Sequence, residues 1–189
     1  MPLDTMEAIR TRYSCRAFTD KMPPDGDLKL IAEAAAASPS GSNRQPWRVI
    51  IVKNKELVSD MEAAAMANVS AMPDKAMYDR IMSRGGKAYY NAPCYVIIHF
   101  EKPASPGGAS GDCGILIENV ALAATSLGIN SLICGMISLA FAGEKGVEFR
   151  SRLGIPEDHD IGVAVLLGYA AEPGGKPHEP DLEKVTFFE

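Results

Sequence analysis

The segment from Asp112 to Leu127 restricts the folding of this chain more than any other. Its composition predicts a helix, with Asp112 placed to cap the start and Gly128 to end it. Ile115, Leu116, Ile117, Val120, Ala121, Leu122, Ala123 and Ala124 surround that helix with apolar surface, so it must be covered on most sides. Ile117, Ala121, Ala124 and Gly128 fall on one face and are mostly small, which lets another helix approach closely. A chain of 189 residues has limited material to enclose a helix all round. Cover from a second copy is the simpler arrangement, and a homodimer is expected.

The other elements read in sequence around it. Asp4 to Arg10 predicts a short helix with Asp4 or Thr5 as N-cap. Asp27 to Ala37 predicts a second helix, stopping before Pro39. Ser38 to Pro46 is a loop by composition, and Trp47 to Lys53 is a buried strand. Glu56 to Val69 and Asp74 to Ser83 read as helices, with Pro73 suited to a first helical position. Cys94 to Phe100 is an apolar strand, and Lys102 to Gly108 a flexible connection. Ser131 to Ile133 is a short strand and Glu144 to Leu153 a surface helix ended by Gly154. Ile161 to Tyr169 is an apolar run suited to the centre of a sheet. The chain ends on Val185-Thr186-Phe187-Phe188, an apolar terminus expected to dock on a surface, plausibly that of a partner subunit. No repeat and no domain break appears, so 1–189 reads as one domain.

Several function classes are excluded. The formal net charge of −5 gives no global case for nucleic acid or an anionic membrane. Cys15, Cys94, Cys113 and Cys134 form no C-x-x-C pair, and His99, His159 and His178 have no metal-ligand spacing, so no metal site is expected. No apolar run is long enough to span a membrane, and the N-terminus does not read as a signal peptide. A reduced, cytoplasmic protein is expected. The nucleophile-elbow, zincin, P-loop and dinucleotide-binding motifs are all missing, although Gly85-Gly86-Lys87 and Gly174-Gly175-Lys176 superficially resemble phosphate loops.

Against this acidic balance, two short segments concentrate anion-binding side chains. Arg12-Tyr13-Ser14-Cys15-Arg16 places two guanidiniums four residues apart with a hydroxyl between them, in what reads as irregular chain after a helix. Lys176-Pro177-His178 places two cationic groups on one side of an extended tail. Either alone would be solvated surface charge. Their joint occurrence with the Pro39–Trp47 loop points to a phosphorylated ligand.

Taken in order, these segments resemble the FMN-dependent nitroreductase family. Arg12 to Phe18 is similar to its N-terminal flavin loop, and Pro39-Ser40-Gly41-Ser42-Asn43-Arg44-Gln45-Pro46-Trp47 to its second signature. Gly111-Asp112-Cys113-Gly114 with the helix that follows is similar to its interface helix. Gly168-Tyr169 and Lys176-Pro177-His178 are similar to its strand end and phosphate-binding tail.

The resemblance implies an α+β fold, a mostly antiparallel sheet surrounded by helices, in an intertwined homodimer with FMN at the interface. Arg12 and Ser14 would contact the FMN phosphate, with Tyr13 beside them and Lys176 and His178 completing the site. Arg16 would reach the pyrimidine edge, where the reduced ring gathers negative charge. Pro39, Ser40, Gly41 and Asn43 would come from the other subunit. The backbone of Cys134 and Gly135 would face flavin N5, while the Cys134 sulfur itself reads as apolar filler.

Implied too is a two-step reaction in which NADH or NADPH reduces the flavin and a small acceptor, a nitroaromatic or quinone, reoxidises it. A non-catalytic FMN store, or a flavin-destroying or dehalogenating relative, is the alternative. His178 stands where the family often has arginine, so phosphate binding here should weaken as the imidazole loses its proton. Lys87 aligns loosely with a further pyrimidine-edge contact. Trp47 reads as a core anchor.

Overall fold

A computed structural model describes residues 2–102, 108–173 and 175–188, with the backbone alone described for 108–110. Most of the expected Lys102–Gly108 connection, and Gly174, lie outside the described residues.

The first helix, α1 (Thr5–Thr11), is capped by Asp4, whose carboxylate accepts from the Glu7 N–H at 2.9 Å. Helix α2 spans Asp25–Ala36. Strand β1 (Trp47–Val52) leads into α3 (Lys55–Ala71), capped by Asn54, and then α4 (Ala76–Met82). Strand β2 (Cys94–Glu101), helix α5 (Gly108–Ser126) and strand β3 (Asn130–Cys134) follow. A 3₁₀ stretch over Gly135–Phe141, helix α6 (Gly143–Leu153) and strand β4 (His159–Gly168) complete the regular structure before a short 3₁₀ turn in the tail.

The four strands form an antiparallel sheet in the order β1-β2-β4-β3. The fold is α+β, as expected. The apolar runs of β2 and β4 occupy the two inner positions, where both faces are covered. One face packs on α3, α4, α6 and the 3₁₀ stretch through Met61, Ala65, Val69, Tyr89, Tyr95, Ile97, Phe149 and Leu166. The other packs on α2 and α5 through Ile31, Leu116, Val120, Ile98 and Leu167, and Trp47 is anchored there as a core residue. Burying each such side chain contributes about 1.5–3 kcal/mol. The ladder between β2 and β4 slips beside Ile98, where Gly162 lies so close that a Cβ would sit 3.2 Å from both the Ile98 carbonyl and the Phe100 ring.

Two sequence expectations need correction. Asp112 does not cap α5, which begins a turn earlier; its buried Oδ1 instead accepts from the Gly41 N–H at 2.9 Å, tying the Pro39–Pro46 loop to the helix. Pro73 precedes α4 rather than opening it. The apolar end of the tail finds no cover on its own protomer, where Phe187 and Phe188 are 85% and 95% exposed, so the expected docking on a partner subunit stays open.

Helix α5 is only partly enclosed by its own chain. Leu116, Val120, Ala121 and Ala124 are fully buried, whereas Ile115 is exposed, as are Leu3, Met6 and Ile9 of the N-terminal segment. Gly128 ends the helix as expected, with a positive φ of 75° and the Ile129 N–H donating to Ala124 O.

At the far end of the sheet, buried His99 and half-buried His159 set their Nδ1 atoms 2.8 Å apart, so one ring donates and the other accepts. Burial, His159 on β4, Arg48 on β1 and Arg150 on α6 push His99 down to about 4. The unfolded chain therefore takes up this proton first as pH falls. Stability present above pH 6.5 should decline as pH drops towards 4, by on the order of 3 kcal/mol, and then level off. Urea unfolding of the unaltered protein should show that slope, and His99→Leu should flatten it.

Candidate functional site

The Arg12–Phe18 segment is held in place by the ends of β3 and β4. The Cys15 N–H donates to Ser131 O at 3.0 Å, and Ser14 bridges Ser131 in parallel. Phe18 pairs with Ala170, the Ala171 N–H donates to Ala17 O at 2.9 Å, and the Thr19 N–H donates to Tyr169 O at 2.8 Å. Asn130 ties the two segments together: its amide donates to the Tyr13 hydroxyl at 3.2 Å while its oxygen accepts from the Ala170 N–H at 2.9 Å.

The tail closes over this strip. Gly175 lies so near the Tyr13 ring that a Cβ would stand 1.8 Å from it, a contact open only to glycine. The closure forms a cleft of about 720 Å³ lined by residues 12–17 on one side and by Glu172, Pro173, Gly175, Lys176 and His178 on the other. Arg12, Ser14, Arg16, Lys176 and His178, singled out from the sequence, all meet here, with Tyr13 in the wall. Glu172 is the single acid among the lining residues. Arg12 faces Glu118 of α5 through Nε at 3.8 Å, an exposed and weak pair that orients the guanidinium without neutralising the cleft. Arg16 donates to Ser14 O at 3.3 Å.

Arg16 also lines a second, smaller hollow of about 220 Å³, walled by Tyr90, Leu132, Ile133, Cys134, Gly135 and Met136 together with Arg80, Ile81 and Arg84. Cys134 and Gly135 thus lie next to the cationic cleft, joined to it through Arg16. Burial pushes the Cys134 thiol up to about 11, consistent with a sulfur that packs rather than reacts. Burial raises the Cys15 thiol as well, and its S–H donates to Ala17 O at 3.3 Å.

Pro39, Ser40, Gly41 and Asn43 do not line either hollow of their own protomer. They form a tight, exposed loop in which Ser42, Asn43 and Gln45 hold φ of 52°, 54° and 46°. Ser40 Oγ accepts from the Gln45 N–H and Asn43 Oδ1 from the Gln45 amide, so the left-handed residues are pinned. Such strain is kept where a loop must present a fixed shape. Lys87 lies elsewhere, in a separate hollow with Lys55 and Asp20.

Sequence reasoning missed the support beneath the second hollow. Glu62 of α3 is buried, and its two oxygens accept from the Ala88 and Tyr89 N–H groups at 2.6 and 2.9 Å. Burial raises its pKa, partly offset by those two bonds and by Lys87. The Tyr89 hydroxyl in turn reaches Met136 O and Ile137 O at 3.2 and 3.3 Å, fixing the chain just after Gly135. The only sequence trace is one acid inside the apolar run Met61-Glu62-Ala63-Ala64-Ala65.

The nitroreductase family model matches residues 9–169. The chain belongs to the nitroreductase family. A nitroreductase with bound FMN from Desulfitobacterium hafniense DCB-2 is similar to it at 50% identity, with a TM-score of 0.92 and full coverage of both chains. An FMN-bound nitroreductase from Bacteroides fragilis shares 32% identity at a TM-score of 0.87, covering 99% of this chain and 100% of its own. An NADH dehydrogenase of Thermus thermophilus is 28% identical over 98% of this chain and 96% of its own.

The contact between Tyr13 and Gly175 yields a direct test. Gly175→Ala should lift the tail from Tyr13 and raise amide hydrogen exchange around Lys176 by roughly tenfold, with little change in the exchange of β2 and β4. Unchanged tail exchange would show that the two ends are not held together there.

Proposed function

We propose that the protein is an FMN-dependent oxidoreductase that passes electrons from NADH or NADPH to small acceptors of the nitroaromatic or quinone type. The observation that carries this reading is the cationic cleft built from both ends of the chain, with Arg16 shared between it and the hollow walled by Cys134, Gly135 and Met136. A mononucleotide with a doubly charged phosphate at one end and a planar ring at the other suits that pairing of sites. The full-length likeness to FMN-bound nitroreductases supports it.

Arg12, Ser14, Lys176 and His178 would hold the phosphate, and Tyr13 would shield it. Arg16 would sit at the pyrimidine edge and stabilise negative charge there. The backbone of Cys134 and Gly135, braced by Tyr89 and Glu62, would offer a fixed N–H to the ring. When bound, FMN supplies the chemistry: it takes two electrons from a reduced nicotinamide and yields them to an acceptor. The thiols of Cys94, Cys113 and Cys134 are pushed up to about 12, 11 and 11 by burial, so none is poised as a nucleophile.

The working unit in this reading is a homodimer. Exposed Ile115 with Leu3, Met6 and Ile9, and the apolar tail from Leu182 to Phe188, need cover that one protomer does not give. The strained Pro39–Asn43 loop, idle in its own subunit, would complete the partner's site. Four buried free cysteines suit a reducing cytoplasm.

Three variants test these assignments. Arg12→Ala should weaken FMN retention by about tenfold to a hundredfold, as loss of a charge-assisted contact would. Arg16→Ala should retain more FMN but slow flavin bleaching by reduced nicotinamide in stopped-flow absorbance. Full FMN affinity in the first variant would overturn the phosphate assignment. Removal of residues 182–189 should shift the protein from dimer towards monomer in sedimentation, and an unchanged dimer would contradict the role given to the tail.

A further inference from the structure

The smaller hollow carries more positive charge than its neighbour through Arg16 requires. Arg80 lies in the last turn of α4 and Arg84 four residues on, in the turn closed by bonds from the Arg84 N–H to Ile81 O and from the Gly86 N–H to the same oxygen. Both are exposed, and both line the hollow together with Cys134, Gly135 and Met136. The lining contains three arginines and no acid. Neither Arg80 nor Arg84 takes part in an ion pair among the described residues. In a chain with 24 acidic against 19 basic residues, three guanidiniums lining one hollow with no acid among them make a local positive field that attracts an anion.

A helix C-terminus welcomes one cation, which accounts for Arg80 alone. It does not account for Arg84 beyond the helix or for Arg16 arriving from a distant segment of the chain. Between the guanidiniums the wall is apolar and aromatic, from Ile81, Tyr90, Ile133 and Met136. That wall would meet the FMN ring, which leaves Arg80 and Arg84 to a second reactant stacked over it, and a carboxylate is a group that guanidinium forks bind in bidentate fashion.

We infer that Arg80 and Arg84 form an anion-selecting rim, and that the acceptor this protein reduces best is an aromatic compound bearing a carboxylate. The inference rests on the FMN reading above, with Arg16 serving the cofactor and the α4 arginines serving the second reactant. They select through charge and position and touch no reacting atom. A reduced nicotinamide also carries anionic groups, so the test separates acceptor from donor.

The experiment compares 4-nitrobenzoate with 4-nitrobenzyl alcohol, which share a nitro group and differ in charge. In the FMN-loaded protein, kcat/KM should favour the benzoate, mainly through KM. The double variant Arg80→Gln/Arg84→Gln should cut that preference by about tenfold or more. Arg84→Glu should reverse it towards 4-nitrobenzylamine. Benzoate binding, followed by perturbation of the flavin absorption without turnover, should weaken in parallel.

Equal losses with charged and neutral acceptors, together with unchanged benzoate binding, would overturn the inference. So would an effect confined to flavin bleaching by NADH or NADPH, which would assign the arginines to the donor. Protein that takes up no FMN would instead remove the reading beneath it. Ordinary turnover without charge preference would sink the rim alone.

Discussion

The contact on which the site depends is a bare backbone against an aromatic ring. Gly175 meets Tyr13 at a distance that admits no side chain, and it brings Lys176 and His178 into line with Arg12, Ser14 and Arg16. The loop closed by this meeting runs almost the length of the chain, so its entropic cost is offset by the folded sheet rather than by the contact itself. That sheet supplies two anchors: Ser131 on β3 receives the Cys15 N–H, and the chain just past β4 pairs with Ala17 and Phe18. Without those edge bonds the arginines would be scattered surface charge. With them, three cationic side chains and a histidine share one cleft in an acidic protein.

A second set of contacts fixes the other half of the site. Glu62 gathers two backbone N–H groups, Tyr89 then reaches the carbonyls of Met136 and Ile137, and the segment after β3 is held from beneath. A buried carboxylate is tolerated because both oxygens are satisfied. The consequence is a main-chain wall of defined position at Cys134 and Gly135. Catalysis that relies on a bound ring needs such placement more than it needs an acid or base of its own.

Much of this was readable from residues. The helices and strands announce themselves through caps, prolines and apolar runs, and the inner strands β2 and β4 are the continuous ones. The phosphate-type cluster was legible because arginine, serine and lysine are dense there in an otherwise acidic chain. Long-range bonds were not legible. Asp112 looks like a helix cap in sequence, yet its carboxylate serves Gly41, which lies 71 residues away. Glu62 looks like a solvent-facing acid and is a buried brace. Arg80 and Arg84 carry no motif, and the fold brings them into one hollow with Gly135. In the homodimer proposed above, the Pro39–Asn43 loop would act on a second subunit, which no single chain displays.

The most direct measurement is the visible absorption of the protein purified in full length. The account predicts an oxidised-flavin spectrum at one FMN per chain, bleached anaerobically by NADH or NADPH and restored by a nitroaromatic or a quinone. A colourless protein that stays so in excess FMN, or a yellow one that reduced nicotinamide cannot bleach, would contradict it.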